Sequence, residues 1–286
     1  MKQEKYLIFN EVAMKIIEYN NFKIRPLAGA MGAEILDVDL KNINDDTFNE
    51  IYKAFVDYQV IGILDQDLNS DQYLEFGRKW GEIHHYPYMK GLETHPEILE
   101  IVKTEKDTYA FGNVWHSDGS FTEIPPKATM LYAQELPPAG GDTLFANMYQ
   151  AYDSLSEAVK SKISNLKAVH AYDYETSVKK ASYNRSSAPF AEHPVVRTHP
   201  ETGRKALYVN RLMTEELVGL PANESKALLE ILFSHAERSE HVYEHVWKRE
   251  DLVFWDNRCT QHARTNFPSD ERRLLRRVGI EGDTPF

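Results

Sequence analysis

The stretch Asn113-Val-Trp-His-Ser-Asp-Gly-Ser-Phe121 holds a His-x-Asp pair among aromatic and small residues. In an extended chain, residues i and i+2 point to the same face, so His116 and Asp118 can aim one imidazole and one carboxylate at a common point. Far downstream, Thr260-Gln-His262 brings a second histidine, with an arginine-rich strand close behind it. Two histidines and one carboxylate on one side of a metal leave coordination positions open, the ligand pattern of non-haem Fe(II) oxygenases. The long gap between Asp118 and His262 suits a fold in which strands remote in sequence lie side by side.

A lone His-x-Asp is a weak signal, and its surroundings strengthen it. Lys127-Ala-Thr-Met-Leu-Tyr-Ala-Gln134 reads as a strand, Leu136-Pro-Pro-Ala-Gly-Gly141 as a turn, and Asp142-Thr-Leu-Phe145 as a renewed extended run. Asp251-Leu-Val-Phe-Trp-Asp-Asn-Arg258 and Arg272-Arg-Leu-Leu-Arg-Arg277 follow near the end. Pro194–Thr198 and Lys205–Val209 flank Pro200-Glu-Thr-Gly203, a hairpin signal. Short strands with Gly/Pro turns predict a mainly β fold, a jelly roll of the cupin-like, double-sheet kind, with flanking helices.

Four helices are expected around it. Asp45–Tyr58 is amphipathic, with Phe48, Ile51, Tyr52, Phe55 and Val56 at helical spacing, and it leads into a buried strand, Val60–Leu64. Ser70 can cap a second helix, Asp71–Trp80. A third starts at Asn147, a capping residue with Gln150 three positions on, and runs through Leu155 and Val159. A fourth spans Ala222–Ala236, with Leu228, Ile231, Leu232 and His235 on one face.

Composition narrows the function. The 286 residues are 42% hydrophobic, enough for a sizeable core, and no repeat or linker divides them, so one domain over 1–286 is expected. A net charge of −11 leaves no basic footprint for nucleic acid. The single cysteine, Cys259, excludes an intramolecular disulfide and is read as a small packed residue. No apolar run reaches membrane-span length, and Met1–Asn10 lacks a signal-peptide core. A soluble cytoplasmic protein is expected, acting on a small molecule without nucleic-acid or membrane partners; a homo-oligomer is compatible with that reading.

The other histidines and the arginines need sorting. His241 and His245 would stand ~13 Å apart in an extended chain and are assigned to the surface or to packing, as His193 and His199 are to structure. His84 and His85 lie in a loop that either lines a pocket or satisfies itself. Strand alternation puts Arg273, Leu275 and Arg277 on one face. Inward arginines need anions, because an unpaired buried guanidinium is expensive, and a carboxylate matches the planar guanidinium. The bland alternative is a pair of salt bridges to the protein's own acids.

Taken in order, Trp115–Phe121, Gly140–Phe145, His193–His199, Trp255–Arg258 with Gln261-His262, and Arg272–Arg277 resemble the TauD/TfdA family of Fe(II)- and 2-oxoglutarate-dependent dioxygenases. The resemblance spans nearly the whole chain and implies a double-stranded β-helix. It implies Fe(II) on His116, Asp118 and His262, with 2-oxoglutarate and O2 consumed and succinate and CO2 released. Arg273, eleven residues after His262, matches the clamp for the C5-carboxylate of 2-oxoglutarate, and Thr143 the hydroxyl that supports it. Arg277 matches the arginine that faces the substrate's sulfonate in taurine dioxygenase.

Other substrate contacts of the taurine enzyme are absent. Tyr86-Pro87, Met89 and Gly112 stand where that enzyme has His-Pro, a tyrosine and an asparagine. Tyr86 and His85 become candidate substrate contacts, with Arg277, for a sulfonate, sulfate ester or carboxylate. Three alternatives stay open. One uses the same cofactor chemistry for desaturation or for oxidative tailoring of an amino-acid-derived metabolite. Another is a non-catalytic cupin-like binding protein, and the last a zinc hydrolase, for which two histidines and a carboxylate also serve.

Overall fold

The computed structural model describes residues 16–86, 89–107, 112–172 and 189–286. The Met1–Asn10 segment and Pro87 lie outside the described residues. The first strands are β1 (Ile17–Glu18), β2 (Lys23–Pro26), β3 (Ala33–Leu36), β4 (Val60–Ile63) and β5 (Leu99–Lys103). Then come β6 (Ala128–Glu135), β7 (Thr143–Asn147), β8 (Lys167–Ala171), β9 (Phe190–Pro194), β10 (Val196–Thr198) and β11 (Lys205–Leu207). The last are β12 (Thr214–Leu217), β13 (Val242–His245), β14 (Leu252–Asp256), β15 (Thr260–Arg264) and β16 (Arg273–Ile280).

A major sheet of order β1-β2-β3-β4-β14-β6-β16-β5 faces a minor sheet of order β13-β7-β15. Alternation along the central strands sorts two cores. From β14, Val253 and Trp255 pack between the sheets with Leu131, Phe145 and Leu275, whereas Leu252 and Phe254 turn outward with Met130 and Tyr132 of β6 and Val278 of β16. The outward face is covered by helices, so both faces of these strands are buried. This is the jelly roll with flanking helices that the strand pattern predicted. Among the described residues, no helix is long and apolar enough to cross a membrane.

Helix α1 (Asp45–Tyr58) starts where the Asn44 side chain accepts from Thr47 N–H, and two acids occupy its first turn, favourable at the positive helix end. It stops at Gln59, whose φ of 63° is left-handed. Helix α2 (Ser70–Lys79) is capped by Asn69 in a reciprocal capping box with Gln72. The cap is one residue earlier than Ser70, since the amide both accepts from N3 and suits the extended backbone. Phe55, Trp80 and Phe254 meet with ring centroids 4.2–5.0 Å apart. Each such buried side chain contributes roughly 1.5–3 kcal/mol by leaving water.

The expected third helix is two: α3 (Met148–Asp153) and α4 (Glu157–Ile163). Hydrophobic periodicity continues through Leu155, but the Ser156 side chain accepts from Val159 N–H and starts a new helix. Helix α5 (Ala222–Ala236) buries Leu228, Leu229, Leu232 and Phe233. Ile231, expected on that face, is exposed, because Leu229 and Phe233 turn the stripe to the other side. The β10–β11 hairpin forms as expected. His241 and His245 are both buried, so packing is their role and the surface is not. Cys259 is buried beside the core of α3 and α5, as a small packed residue would be.

Candidate active site

His116 and His262 are joined through their backbones. His116 N–H donates to the His262 carbonyl at 2.9 Å and His262 N–H returns the bond at 2.7 Å, so the rings lie 4.2 Å apart. Asp118 is aimed differently than strand alternation predicted. Only His116 forms a β-bridge, and Asp118 opens a turn through Gly119 at φ 61°. A side chain at Gly119 would sit 2.7 Å from Pro126, so the turn is held tightly. One ligand atom from each of His116, Asp118 and His262 lies within 4.8 Å of the others.

Their protonation suits a metal. His116 Nδ1 is 2.7 Å from the Val114 carbonyl, which can only accept, so Nδ1 is the donor and the neutral ring keeps a lone pair on Nε2. Burial pushes His116 down from its ordinary pKa despite the nearby Asp118. Burial, and then His116, push His262 down to about 3. Burial alone would raise Asp118, but Arg277, the two histidines and a hydrogen bond from Thr129 hold it well below the usual carboxylate range. Two neutral imidazoles and an ionised carboxylate are the forms that bind metal. Among the described residues, the buried His262 Nδ1 has no hydrogen-bond partner. The donor set therefore fits a divalent metal.

Asp118 Oδ2 accepts from the Thr129 hydroxyl at 2.7 Å and faces Arg277 Nη2 at 3.2 Å. Arg277 also lies over the Tyr86 ring, 5.2 Å from its centroid. This arginine already has an acid of the protein, as the bland reading supposed. Arg273 does not. It is buried, its Nε donates to the Gly141 carbonyl at 3.1 Å, and no carboxylate among the described residues makes an ion pair with it. Burial, and then Arg264, disfavour its charged form.

Gly141, at φ 76°, lets the chain pass this guanidinium: an added Cβ would be 3.1 Å from Arg273 Nε. Beside it, Thr143 Oγ1 accepts from the Trp247 indole at 2.9 Å, which leaves the hydroxyl proton for another acceptor.

One cavity is lined by His116, Asp118, His262, Thr143, Arg273 and Arg277, with Ile101, Leu131 and Leu275 as apolar wall. Tyr86, Met89 and Gly112 line it too. His85 does not: it is exposed and borders a neighbouring cleft with His84 and Lys90. His84 satisfies itself against Glu281 at 3.0 Å. Sequence reading passed over Thr129 and Arg264, which lack a motif, and gave no role to Asn257. The one signal for Thr129 is a hydroxyl inside a strand whose neighbours are all buried and mostly apolar.

A second set, His199, Asp256 and Cys259, also converges within 4.8 Å. His199 Nδ1 accepts from the Glu201 and Thr202 N–H groups, so its Nε2–H donates to Asp256 at 3.0 Å. Arg258 binds both oxygens of that carboxylate. Every donor there is used, and the set is structural.

Residues 23–278 match the family model described as "Taurine catabolism dioxygenase TauD, TfdA family". The chain is 30% identical over 276 residues to a (S)-phenoxypropionate/alpha-ketoglutarate-dioxygenase of Sphingobium herbicidovorans, covering 92% of this chain and 96% of that protein. It is 32% identical over 275 residues to an alpha-ketoglutarate-dependent sulfate ester dioxygenase of Pseudomonas putida, covering 92% and 90%. A taurine dioxygenase structure from Burkholderia xenovorans superposes with a TM-score of 0.82 at 32% identity, covering 93% and 91%. AAD-2 in complex with Mn(II) and N-oxalylglycine gives a TM-score of 0.81 at 29% identity, covering 92% and 98%.

Proposed function

We propose that this chain, which belongs to the TauD, TfdA dioxygenase family, oxidises a C–H bond of a small anionic molecule at the expense of 2-oxoglutarate (α-ketoglutarate) and O2. His116, Asp118 and His262 would hold Fe(II), and Arg273 with Thr143 would seat the distal carboxylate of 2-oxoglutarate. The observation that carries the reading is Arg273, a buried guanidinium that makes no ion pair among the described residues, in the same cavity as the donor triad. A planar carboxylate can accept two of its N–H bonds and a third from the Thr143 hydroxyl.

Bound Fe(II) supplies the oxidising chemistry, in which O2 and 2-oxoglutarate become succinate, CO2 and an oxidised substrate. The protein's part is positioning and exclusion of water. Ile101, Leu131 and Leu275 line the cavity that the triad and Arg273 share, so a keto acid spanning the two would meet apolar surface. The substrate would approach from the side of Tyr86, Met89 and Gly112. Arg277 can draw its anionic group towards the triad while remaining within reach of Asp118. The relatives' sulfate-ester and phenoxypropionate substrates support an anion with an apolar body. One domain spanning 1–286 accounts for all of these residues.

A zinc hydrolase or a non-catalytic cupin would leave Arg273 and Thr143 without work. Succinate formation from 2-oxoglutarate, measured with Fe(II) and a panel of sulfonates, sulfate esters and aryloxy acids, tests the proposal. Turnover should need Fe(II), rise with the right anion and vanish in Asp118→Ala while the fold persists. Normal succinate production by folded Asp118→Ala protein would end the metal assignment.

A further inference from the structure

We infer that Thr129 and Asn257 are positioning residues for the metal carboxylate: they keep one oxygen of Asp118 occupied, so that only the other is offered to the metal. The inference rests on the reading of Asp118 as a metal ligand. Three side chains form a hydrogen-bond relay whose direction is fixed at each end. The Trp255 indole can only donate, and it does so to Asn257 Oδ1 at 2.9 Å. That contact orients the amide, whose Nδ2 then donates to Thr129 Oγ1 at 2.9 Å. With its oxygen accepting from the amide, Thr129 spends its single proton on Asp118 Oδ2 at 2.7 Å. An ionised carboxylate can only accept, so the relay has no second polarity.

The consequence is an asymmetric carboxylate. Oδ2 takes the Thr129 hydroxyl and faces Arg277. Oδ1 is the oxygen 3.8 Å from His116 Nε2, on the side where the ligand atoms converge. Asn257 holds the backbone of the same segment as well. Its carbonyl accepts from the Ser117 hydroxyl at 2.8 Å and its Oδ1 from Asp118 N–H at 3.4 Å. Thr129, Trp255 and Asn257 are buried to within 1% exposure, so water does not compete for these bonds. Strand β6 contributes Thr129, β14 contributes Trp255, and Asn257 follows directly after β14. The orientation of Asp118 is thereby tied to the major sheet, and the two histidines are tied to each other beside the minor one.

Partners of this kind typically change metal affinity by 10- to 100-fold when removed. The test is Mn(II) affinity of the full chain, followed by electron paramagnetic resonance without co-substrate, with the melting temperature of the metal-free protein recorded alongside. Thr129→Val, which keeps shape and loses the hydroxyl, should raise the Mn(II) Kd about 10- to 100-fold. Thr129→Ser should return it to within about threefold of the parent.

Asn257→Asp keeps an acceptor for Trp255 but replaces the Thr129-directed donor with a second acceptor. The hydroxyl proton is then drawn away from Asp118, and the Kd should rise about tenfold. If Thr129→Val does not fold, this second variant decides. Unchanged Mn(II) affinity in folded Thr129→Val or Asn257→Asp would overturn the positioning role, as would a loss in valine that serine fails to restore. A parent chain that binds no Mn(II) would instead remove the metal reading on which the inference stands.

Discussion

Replacing Arg273 with leucine should separate affinity from stability. The guanidinium is buried, holds one backbone carbonyl at 3.1 Å and makes no ion pair with a carboxylate among the described residues, Asp142 acting on it only from farther away. In the free protein, the substitution removes a hydrogen bond to a charged group, about 1.5–3 kcal/mol. It also removes the desolvation cost of an unpaired ion, itself several kcal/mol. The two nearly cancel, so the melting temperature of metal-free Arg273→Leu should stay level or rise. Binding behaves otherwise. Loss of a charge-assisted pair whose partner stays buried costs on the order of 2–5 kcal/mol, which raises the Kd for 2-oxoglutarate roughly thirtyfold to a few thousandfold. Anaerobic calorimetry with Mn(II) in place of iron measures that Kd without turnover. Unchanged affinity would refute the clamp, and a lower melting temperature with intact affinity would show Arg273 to be a structural cation.

Arg277→Leu should do the reverse in the free protein, because it strands Asp118: denaturant unfolding should show a loss on the order of 3–5 kcal/mol, and equal stability would mean the pair is idle. Gly141→Ala forces a left-handed backbone, costing about 1–2 kcal/mol, and places a methyl group 3.1 Å from Arg273 Nε. It should therefore weaken 2-oxoglutarate binding while leaving Mn(II) affinity untouched, as paired titrations would reveal.

His170 and His193 are pushed down to about 3 and about 4, in both cases chiefly by burial. Each is depressed from an unfolded value near 6.5. Their contribution to stability is complete above about pH 6.5 and declines as the pH falls toward the folded values, by up to about 1.4 kcal/mol per pH unit for each group. Urea unfolding at pH 7 and pH 5 should show a smaller pH dependence in His170→Phe than in the parent; equal slopes would refute the assignment.

The sequence carried the inward face of β16, because period-two alternation alone places Arg273, Leu275 and Arg277 together, and all three are buried. It could not carry the difference between the two arginines. That difference depends on which acid lies opposite, and Asp118 reaches Arg277 only through a turn and the register of separate strands. The break between α3 and α4 was hidden for a related reason: Leu155 and Val159 keep the helical period, and one serine hydroxyl ends it. Thr129 is an ordinary strand residue by type, so its hydroxyl acquires meaning only when Asp118 Oδ2 is found 2.7 Å away. Of the residues proposed for the site, His85 alone does not line the cavity and sits in the adjacent cleft, which Tyr86 and Met89 border as well.

The reciprocal backbone bonds between His116 and His262 have a consequence for how such an enzyme can be remodelled. Loops between these two residues can be exchanged without moving either imidazole only where they leave in place the β7–β15 pairing and Trp255, which packs on the His262 ring. Of the lining residues proposed for the substrate side, Tyr86 and Met89 lie well before the bridge, whereas Gly112 belongs to its own segment and accepts from Arg264 N–H at 2.7 Å. Part of the selectivity is thus encoded apart from the triad, while Arg277, through its pair with Asp118, stays tied to it. Grafting the segment around Tyr86 and Met89 from one relative onto another should shift preference for a substrate while Mn(II) affinity stays as it was.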